Sequence, residues 1–267
     1  MDTNYDEIAA QYKRAKLQPW RTYIERYTLL QLVGDVTGKS ALDLACGEGC
    51  YTRELRRQGA SRVLGVDLSR EMIALAGVEE SRVPLGIDYR VADVRNMNSD
   101  EQFDLVFAAY LLNYARKPEE LMQMCRTVVN CLKPGGRFVT VNNNPAEPVA
   151  NFVAGTTYGY SKRVEGQLVE GAPIIWRFLL PEGSFEVRNY YLTIKTMDDA
   201  FWEAGLYDVQ WHRPEVSAEG ICAFGKEHWS AFLANPPVVF ITATIGNSRQ
   251  LRHQLVASWY QTLAFTA

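Results

Sequence analysis

Short apolar runs alternate with amphipathic stretches through the first half of the chain. The runs are typical of parallel strands covered on both faces, and they lie at 40–45, 62–66, 87–91, 103–109 and 137–141. Between them, apolar residues recur every three or four positions, as they do along one face of a helix. This alternation predicts an α/β domain whose parallel sheet is flanked by helices.

Two aromatic-rich helices are predicted before the first strand. In the first, apolar residues fall at i, i+3, i+4 and i+7, namely Tyr5, Ile8, Ala9 and Tyr12. The second repeats this spacing from Trp20 to Leu30. Such helices either pack against the edge of the sheet or form a lid over a ligand, and the pattern alone leaves both interpretations open.

The regular alternation breaks after residue 141. Segments 174–180 and 185–192 flank the turn PEGS and predict an antiparallel hairpin rich in aromatic residues. Thr196 and Asp199 resemble a capping box for a helix that ends at Gly205. The remaining pattern predicts strands at 207–213 and 238–245, which complete a sheet of seven, a helix at 226–233, and a tail at 247–267 with modest helical periodicity and no assigned role.

The stretch from residue 40 to residue 67 combines a buried strand, a tight glycine turn, a helix and a second strand. Gly47 and Gly49 permit positive φ and close approach of a ligand, so the turn is expected to leave backbone amides free for binding. Asp67 ends the second strand, where a carboxylate can accept both hydroxyls of an adenosine ribose. This layout is half of a nucleotide-binding unit.

The same layout serves a nicotinamide or flavin dinucleotide and also S-adenosylmethionine. A dinucleotide site would carry Gly or Ala at position 52, where this chain has Thr52. Without a pyrophosphate to bind, the helix needs no such close approach, so Thr52 favours S-adenosylmethionine. Two glycines in this spacing also occur as a purely structural turn, and the elements that follow must decide.

Composition narrows the classes of function. A formal charge of −3 gives no general electrostatic reason to bind nucleic acid, and 47% apolar with 22% charged residues is typical of a soluble globular protein. The sequence shows neither an apolar run long enough to span a membrane nor a signal peptide, so we expect a cytoplasmic protein. Five cysteines without a CxxC pair indicate neither a disulfide framework nor a metal site.

Two segments resemble motifs of the class I S-adenosylmethionine-dependent methyltransferases: DLACGEG at 43–49 resembles the first motif, and LKPGGRFVTV at 132–141 a late one. The resemblance implies a Rossmann-like α/β fold with a seven-stranded, mostly parallel sheet whose last strand enters antiparallel between the fifth and sixth. It also implies an N-terminal helical lid at 1–34, a methyltransferase domain at 35–246 with a substrate-side β-hairpin insertion at about 142–195, and a C-terminal tail at 247–267.

The resemblance further implies which residues form the site. Asp93 and Val94 follow the third strand, where relatives recognise the adenine amino group, although Asp93 could equally cap a turn or helix. Cofactor contacts are expected from Tyr12, Trp20, Ala45, Gly47, Asp67, Leu68, Asp93, Val94 and Ala109. Acceptor contacts are expected from Trp20, Tyr110, Asn113 and Trp176, and Tyr110 and His212 are the candidates for catalysis.

Six segments together resemble the toxoflavin-type azapteridine N-methyltransferases: YDEIAAQY, DLACGEGCYTR, GVDLS, PLGIDY, AAYLLNYA and LKPGGRFVTVNNNP. This resemblance implies N-methylation of a small planar nitrogen heterocycle in secondary metabolism, of the kind found in antibiotic biosynthesis, with S-adenosylhomocysteine as product. The alternatives are O- or C-methylation of another small aromatic metabolite, a nicotinamide-dependent oxidoreductase, and a noncatalytic protein that binds S-adenosylmethionine. The oligomeric state is left open.

Methyl transfer from a sulfonium is an in-line displacement, so its main requirement is alignment of acceptor and methyl group. Aromatic faces can hold the sulfonium by cation–π attraction and can stack on a flat acceptor. A nitrogen that still carries a proton would use a base, whereas a free lone pair or a deprotonated heterocycle needs none. His212 and His228 are the histidines expected on the substrate side of the sheet.

Overall fold

The computed structural model describes residues 3–97 and 99–246, and the predicted tail at 247–267 lies outside these residues. The helices are α1 (Tyr5–Ala15), α2 (Tyr27–Val33), α3 (Cys50–Arg57), α4 (Arg70–Arg82), α5 (Pro118–Asn130), α6 (Ile194–Ala204), α7 (Ala218–Phe224) and α8 (Lys226–Ala234). The strands are β1 (Ser40–Leu44), β2 (Arg62–Asp67), β3 (Asp88–Val91), β4 (Phe103–Ala109), β5 (Leu132–Asn143), β6 (Tyr160–Val164), β7 (Pro173–Leu180), β8 (Gly183–Tyr190), β9 (Leu206–His212) and β10 (Val238–Ile245).

Seven strands form one large sheet in the order β3-β2-β1-β4-β5-β10-β9. The first five are parallel, and β10 runs antiparallel between β5 and β9. The sequence prediction of a Rossmann-like, mostly parallel α/β sheet with an antiparallel last strand is therefore confirmed. The carboxyl ends of β1, β2, β3 and β4 meet at one edge, which is where ligands bind in open sheets of this kind.

Apolar side chains cover both faces of the large sheet. On one face, Leu42 and Leu64 join residues of α5 and α6 in a buried cluster. On the other, Ala41 and Phe107 pack with residues of the N-terminal helices and of α3. Burial on both faces explains why β1, β2 and β4 appear in the sequence as nearly continuous apolar runs.

A second, antiparallel sheet has the strand order β6-β7-β8. The predicted hairpin is present as β7 and β8, but the sequence prediction missed β6. Its polar Lys162 is 4% exposed and pairs with the carboxylate of the buried Glu147. The ammonium group also lies 4.4 Å from the ring centroid of Phe152 and 4.8 Å from that of Trp176. The buried lysine interrupts the apolar pattern of β6, and for this reason the strand was not recognised in the sequence.

Two local predictions differ from the structure in detail. The helix expected at 20–30 begins with a π-helical segment at Arg21–Arg26 and continues as α2. The capping box expected at Thr196 and Asp199 is wrong, because the N-cap of α6 is Thr193, whose hydroxyl accepts the Thr196 amide at 3.2 Å. At the start of α4, the Ser69 hydroxyl accepts the Met72 amide at 3.1 Å and caps the helix.

The helix α1 lies over the carboxyl edge of the large sheet. It packs against α4 and β7, and Lys13 forms an ion pair with Glu79 of α4 at 2.7 Å. Just before it, the Thr3 hydroxyl accepts the backbone amide of Arg188 in β8 at 2.7 Å. The beginning of the chain thus bridges the large sheet and the small one.

Candidate functional site

A cavity of about 200 Å³ lies beyond the carboxyl ends of β1, β2 and β4 and beneath α1. We call it the main cavity. Its wall includes the predicted cofactor residues Tyr12, Ala45, Gly47, Asp67, Leu68, Asp93, Val94 and Ala109, together with Tyr110. The structure therefore brings together eight of the nine residues expected to bind the cofactor, and leaves out Trp20.

The glycine turn is held by the protein itself. Ala45 and Gly47 have φ of 59° and 56°, in the left-handed region that favours glycine. The Gly47 amide donates to Asp67 Oδ2 at 2.7 Å, and the Gly49 amide donates to the Cys46 carbonyl at 3.1 Å. The expectation of free amides at these two glycines is wrong, because the Gly47 amide fixes the turn to β2 and the Gly49 amide closes the turn on itself.

Glycine is required at position 49 for packing rather than for ligand binding. Its φ is +79°, and a Cβ atom there would lie 2.3 Å from the Tyr89 hydroxyl oxygen. By contrast, a Cβ atom at Gly47 would meet only the flexible ends of Lys16 and Met72, at 3.4 and 3.9 Å. Gly47 therefore lies open to the main cavity, whereas Gly49 lets β3 approach the turn.

Asp67 is held in a fixed orientation at the end of β2. Oδ2 accepts the Gly47 amide, and Oδ1 accepts the Ser69 amide at 2.9 Å. Burial raises the pKa of Asp67, and the two backbone hydrogen bonds oppose this shift by favouring the carboxylate. Each oxygen keeps a second lone pair that can accept a hydroxyl hydrogen. Leu68 beside it is 63% exposed, which offers a flat apolar surface to a base.

Asp93 both caps a helical turn and lines the main cavity. Oδ1 accepts the Arg95 amide at 2.9 Å, as the alternative interpretation predicted. The side chain also forms an ion pair with the Arg95 guanidinium at 2.7 Å. This hydrogen bond to Arg95 is the main reason that the pKa of Asp93 is lowered. The side chain is a carboxylate at neutral pH, and Val94 is buried next to it.

Thr52 has a role that the sequence did not reveal. Its hydroxyl donates to Asp43 Oδ2 at 2.6 Å, and both side chains are buried beneath the glycine turn. Burial raises the pKa of Asp43 to about 7. The threonine that departs from the dinucleotide pattern thus satisfies a buried carboxyl group and connects α3 to β1.

Arg21 and Glu25 form a buried ion pair in the wall of the main cavity. They are 3% and 1% exposed, and Arg21 Nε lies 3.1 Å from Glu25 Oε2. Glu25 also accepts the hydroxyl of Tyr51 at 2.7 Å and that of Tyr110. Nη1 of Arg21 has no hydrogen-bond partner among the described residues. Sequence reasoning missed this pair, although the i, i+4 spacing of opposite charges was visible.

Aromatic rings surround the Arg21 guanidinium. Its carbon lies 5.3–5.4 Å from the ring centroids of Tyr12, Trp20, Tyr110 and Phe178. Tyr110 itself has a φ of 66°, which is strained for a tyrosine, at the point where β4 ends in the cavity. Burial raises the pKa of its hydroxyl, which remains protonated and donates to Glu25.

Trp20 and Trp176 lie behind this wall. They stack at 6.3 Å and line a side cavity of about 10 Å³, to which Tyr12 and Tyr110 also contribute. The indole of Trp20 donates to Gln18 Oε1 at 3.1 Å. The structure does not bring either tryptophan to the main cavity, because the tyrosines and Arg21 stand in front of them.

The other two predicted residues lie elsewhere. Asn113 is buried and lines a separate small cavity. His212 is at the end of β9, on the far edge of the sheet, and its Nε2 is 2.9 Å from the Thr242 hydroxyl. His212 lines neither the main cavity nor the side cavity, and burial lowers its pKa. His212 was expected near the reacting atoms. It lies far from them, because two strands separate β9 from β4.

The far end of the main cavity, as seen from β2 and β3, is walled by tyrosine and arginine side chains. Tyr114 and Arg116 follow β4, which β1 separates from β2, and Arg188 and Tyr190 come from β8, which packs against the turn at Leu112–Tyr114. The Arg116 guanidinium carbon is 5.6 Å from the Tyr190 ring centroid. Tyr5 of α1 closes this end, and its hydroxyl contacts that of Tyr114. A flat, polar molecule would find both stacking surfaces and positive charge here.

Two negative findings concern only the part of the chain that the structure describes. There, no group of three or more His, Cys, Asp or Glu side chains could hold a metal ion. Within the same residues, no helix combines the length and the apolar character that crossing a membrane requires.

Comparison with known proteins adds independent information. Residues 41–136 match a family model described as a methyltransferase domain. A curated ubiquinone biosynthesis O-methyltransferase from Acinetobacter baumannii (strain ACICU) is 29% identical over 170 residues, which is 61% of this chain and 68% of that protein. One of the same name from Coxiella burnetii (strain Dugway 5J108-111) is 31% identical over 152 residues, covering 52% and 61%.

Solved structures share the fold. An S-adenosylmethionine-dependent methyltransferase from Mesorhizobium loti superposes with a TM-score of 0.60 at 23% identity, covering 86% of this chain and 99% of that one. A complex of DhpI with SAH gives 0.56 at 21% identity, covering 91% and 93%. The matched domain, the sheet order and the position of the main cavity agree with one another. The chain is an S-adenosylmethionine-dependent methyltransferase with the class I fold.

Proposed function

We propose that this enzyme N-methylates a small planar nitrogen heterocycle, an azapteridine or a related compound, in secondary metabolism. The observation that carries the proposal is the far end of the main cavity, where Tyr114 and Tyr190 accompany Arg116 and Arg188. Tyrosine rings stack on flat acceptors, and guanidinium groups favour an acceptor that is polar or anionic. A purely apolar or a bulky acceptor would suit this wall poorly.

The opposite end of the cavity is proposed to hold the nucleoside. Asp67 would accept the ribose hydroxyls through its remaining lone pairs, because its amide partners already fix its orientation. Leu68 and Val94 would contact the two faces of the adenine, and Asp93 would accept its amino group. Ala45, Gly47 and Ala109 would contact the methionine half, where the absence of larger side chains leaves room.

Arg21 is added to the proposed cofactor residues. Its charge is balanced by Glu25, but Nη1 has no hydrogen-bond partner among the described residues, and it lies in the cavity wall. A carboxylate is the group that such a buried guanidinium binds best. We therefore assign it to the methionine carboxylate, with the rings of Tyr12 and Tyr110 beside the sulfonium.

Bound S-adenosylmethionine supplies an electrophilic methyl group, and the protein must align the acceptor and prepare its nitrogen. No histidine lines the main cavity within the described residues, and the Tyr110 hydroxyl already donates to Glu25. Arg116 would lower the pKa of a bound acidic N–H, so that the heterocycle is methylated as its anion. The charge of Arg188 is already balanced by Glu165 at 2.7 Å. We therefore propose positioning roles for Tyr110 and the arginines and none for His212.

O-methylation of a phenol is the second candidate, because the curated relatives are named ubiquinone biosynthesis O-methyltransferases. The same arginines would also favour a phenolate. The two candidates differ in the acceptor that is consumed, so a direct comparison of acceptors separates them.

The division of the chain is also a proposal. Residues 1–34 would act as a lid, since α1 covers the main cavity and contributes Tyr5 and Tyr12 to it. Residues 142–195 would form a substrate-side insertion, because β8 supplies Arg188 and Tyr190. The methyltransferase domain would be the remainder of 35–246.

The test is incubation of the enzyme with S-adenosylmethionine and a panel of pteridine diones, pyrimidine diones and catechols, followed by mass spectrometry of the products. We expect a methyl group on nitrogen in one or more of the diones. Arg116→Gln is expected to raise KM for that acceptor about fivefold or more, since it removes a positive charge from the acceptor end. Arg126→Gln, the same change at an exposed position of α5, serves as the matched control. Methylation of catechols alone would replace the proposal with O-methylation.

A further inference from the structure

A third cavity, of about 20 Å³, lies behind the far end of the main cavity. It is lined by Asn113, in the turn that follows β4, by Asn142 at the end of β5, and by Met197 of α6. We call it the amide cavity. Tyr190 lines both the amide cavity and the main cavity, so the two cavities adjoin at this residue.

The amide cavity contains polar groups that the protein does not satisfy. Asn113 is 5% exposed and Asn142 is 2% exposed. The Nδ2 and Oδ1 atoms of both side chains have no hydrogen-bond partner among the described residues. Buried amides without partners are unfavourable, and native proteins keep few of them unless something else binds there.

The neighbouring asparagine shows what a satisfied amide looks like in the same place. Asn143 Oδ1 accepts the indole hydrogen of Trp176 at 3.0 Å. Its Nδ2 donates to Asn189 Oδ1 at 3.3 Å. The fold therefore gives hydrogen-bond partners to the side-chain amide of Asn143 but not to that of Asn142. Internal partners are thus possible in this region, and the side chains of Asn113 and Asn142 remain available to a ligand.

The size and chemistry of the amide cavity define its occupant. A volume of about 20 Å³ admits one or two polar atoms but not a ring. Each asparagine offers one acceptor and one donor group, which match the adjacent N–H and C=O of a cyclic amide. A heterocycle in the main cavity beside Tyr190 could place such an edge between the two side chains while its ring remains outside.

We propose that Asn113 and Asn142 recognise the lactam edge of the acceptor heterocycle and so select acceptors that carry adjacent N–H and C=O groups. The inference rests on the proposed function for the identity of the acceptor as a heterocycle. It assigns these two asparagines to specificity, and it leaves cofactor binding to the residues at the other end of the main cavity.

The experiment measures binding rather than turnover. Pteridine-2,4-dione and unsubstituted pteridine are titrated by calorimetry into the full chain saturated with S-adenosylhomocysteine. The dione is expected to bind at least about tenfold more tightly than pteridine, because a site built for hydrogen bonds rejects a ligand that lacks them. Asn113→Leu and Asn142→Leu are expected to abolish this preference without changing the affinity for S-adenosylhomocysteine. Asn130→Leu, at an exposed position of α5, is the matched control.

Equal affinity for the two heterocycles, or no binding of either, overturns the inference, and this comparison needs no variant to fold. A preference that survives both leucine variants also overturns it, because the two asparagines would then not be its source. The outcome is independent of the product assay. Preferential binding without methyl transfer would refute the proposed function and leave the inference standing. Methyl transfer without preferential binding would refute the inference and leave the proposed function standing.

Discussion

Asp43→Asn is expected to remove the pH dependence that one buried carboxyl group gives to folding. Asp43 is 1% exposed. Burial raises its pKa to about 7 from an ordinary value of 3.8. The folded chain therefore binds this proton more tightly than the unfolded chain does. The stability that protonated Asp43 contributes is fully present below pH 3.8 and is lost as the pH rises through about 7.

The size of the effect follows from the shift. A difference of about 3 pKa units corresponds to about 4 kcal/mol of unfolding free energy, most of which is lost by pH 8. Between pH 5 and pH 7 the wild type should lose about 2 kcal/mol from this group alone. Asparagine cannot ionise, but its Oδ1 can still accept the Thr52 hydroxyl hydrogen. The variant should therefore be more stable than the wild type at pH 8, by up to about 4 kcal/mol.

Urea denaturation of the ligand-free protein at several pH values between 5 and 8 measures this difference. Asp104→Asn is a control of opposite sign, because hydrogen bonds from Lys133 and Ser40 lower the pKa of Asp104 to about 2. Its carboxylate contributes stability that is present above pH 3.8 and lost as the pH falls through about 2, so its removal should destabilise the protein throughout the measured range. Parallel stability curves for Asp43→Asn and the wild type would refute the reasoning.

Three further predictions concern other parts of the site and fold. Asp67→Asn should weaken S-adenosylhomocysteine binding about tenfold or more by calorimetry, since an amide accepts fewer hydroxyls than a carboxylate; unchanged affinity would remove Asp67 from the site. Gly49→Ala should lower the unfolding free energy by about 1–3 kcal/mol, because its φ is positive and Tyr89 occupies the Cβ position, whereas Gly77→Ala in open space on α4 should not destabilise. Lys162→Met should destabilise by about 3 kcal/mol or more by leaving Glu147 buried without its partner, and the added change Glu147→Leu should restore most of the loss; equal loss in both variants would contradict this.

The large sheet could be predicted from the sequence because its strands are buried on both faces. Such strands appear as apolar runs, and the ends of the runs give the order in which polar residues reach the cavity edge. The positions of Asp67 and Asp93 followed directly, since each stands at or just after the end of a parallel strand. The same reasoning located Ala109 and Tyr110 at the end of β4.

Features that depend on pairs of distant residues could not be predicted in this way. Lys162 appears in the sequence as a polar residue of an exposed segment, and its burial is stabilised by Glu147, 15 positions earlier, together with the rings of Phe152 and Trp176. Thr52 seemed to be a departure from a motif until its bond to Asp43 was visible. Trp20 and Trp176 were expected in the pocket because they are large and aromatic, but Arg21, Tyr12 and Tyr110 stand between them and the main cavity.

The buried ion pair of Arg21 and Glu25 could not be predicted from hydrophobic periodicity. A 3.6-residue pattern predicts which face of a helix is buried, and charged residues are then assigned to the exposed face. Here a π-helical segment turns both charges inward, where the hydroxyls of Tyr51 and Tyr110 satisfy the carboxylate. Neither the altered helical geometry nor the hydroxyl partners can be derived from spacing.

The most direct test of the account is a crystal structure of the enzyme with S-adenosylhomocysteine. It should show the ribose hydroxyls on Asp67, the adenine between Leu68 and Val94 with its amino group toward Asp93, and the carboxylate on Arg21. The sulfur should face Tyr110 and the arginine-lined end of the main cavity. A nucleoside bound outside this cavity, or one that makes no contact with Asp67, would contradict the account.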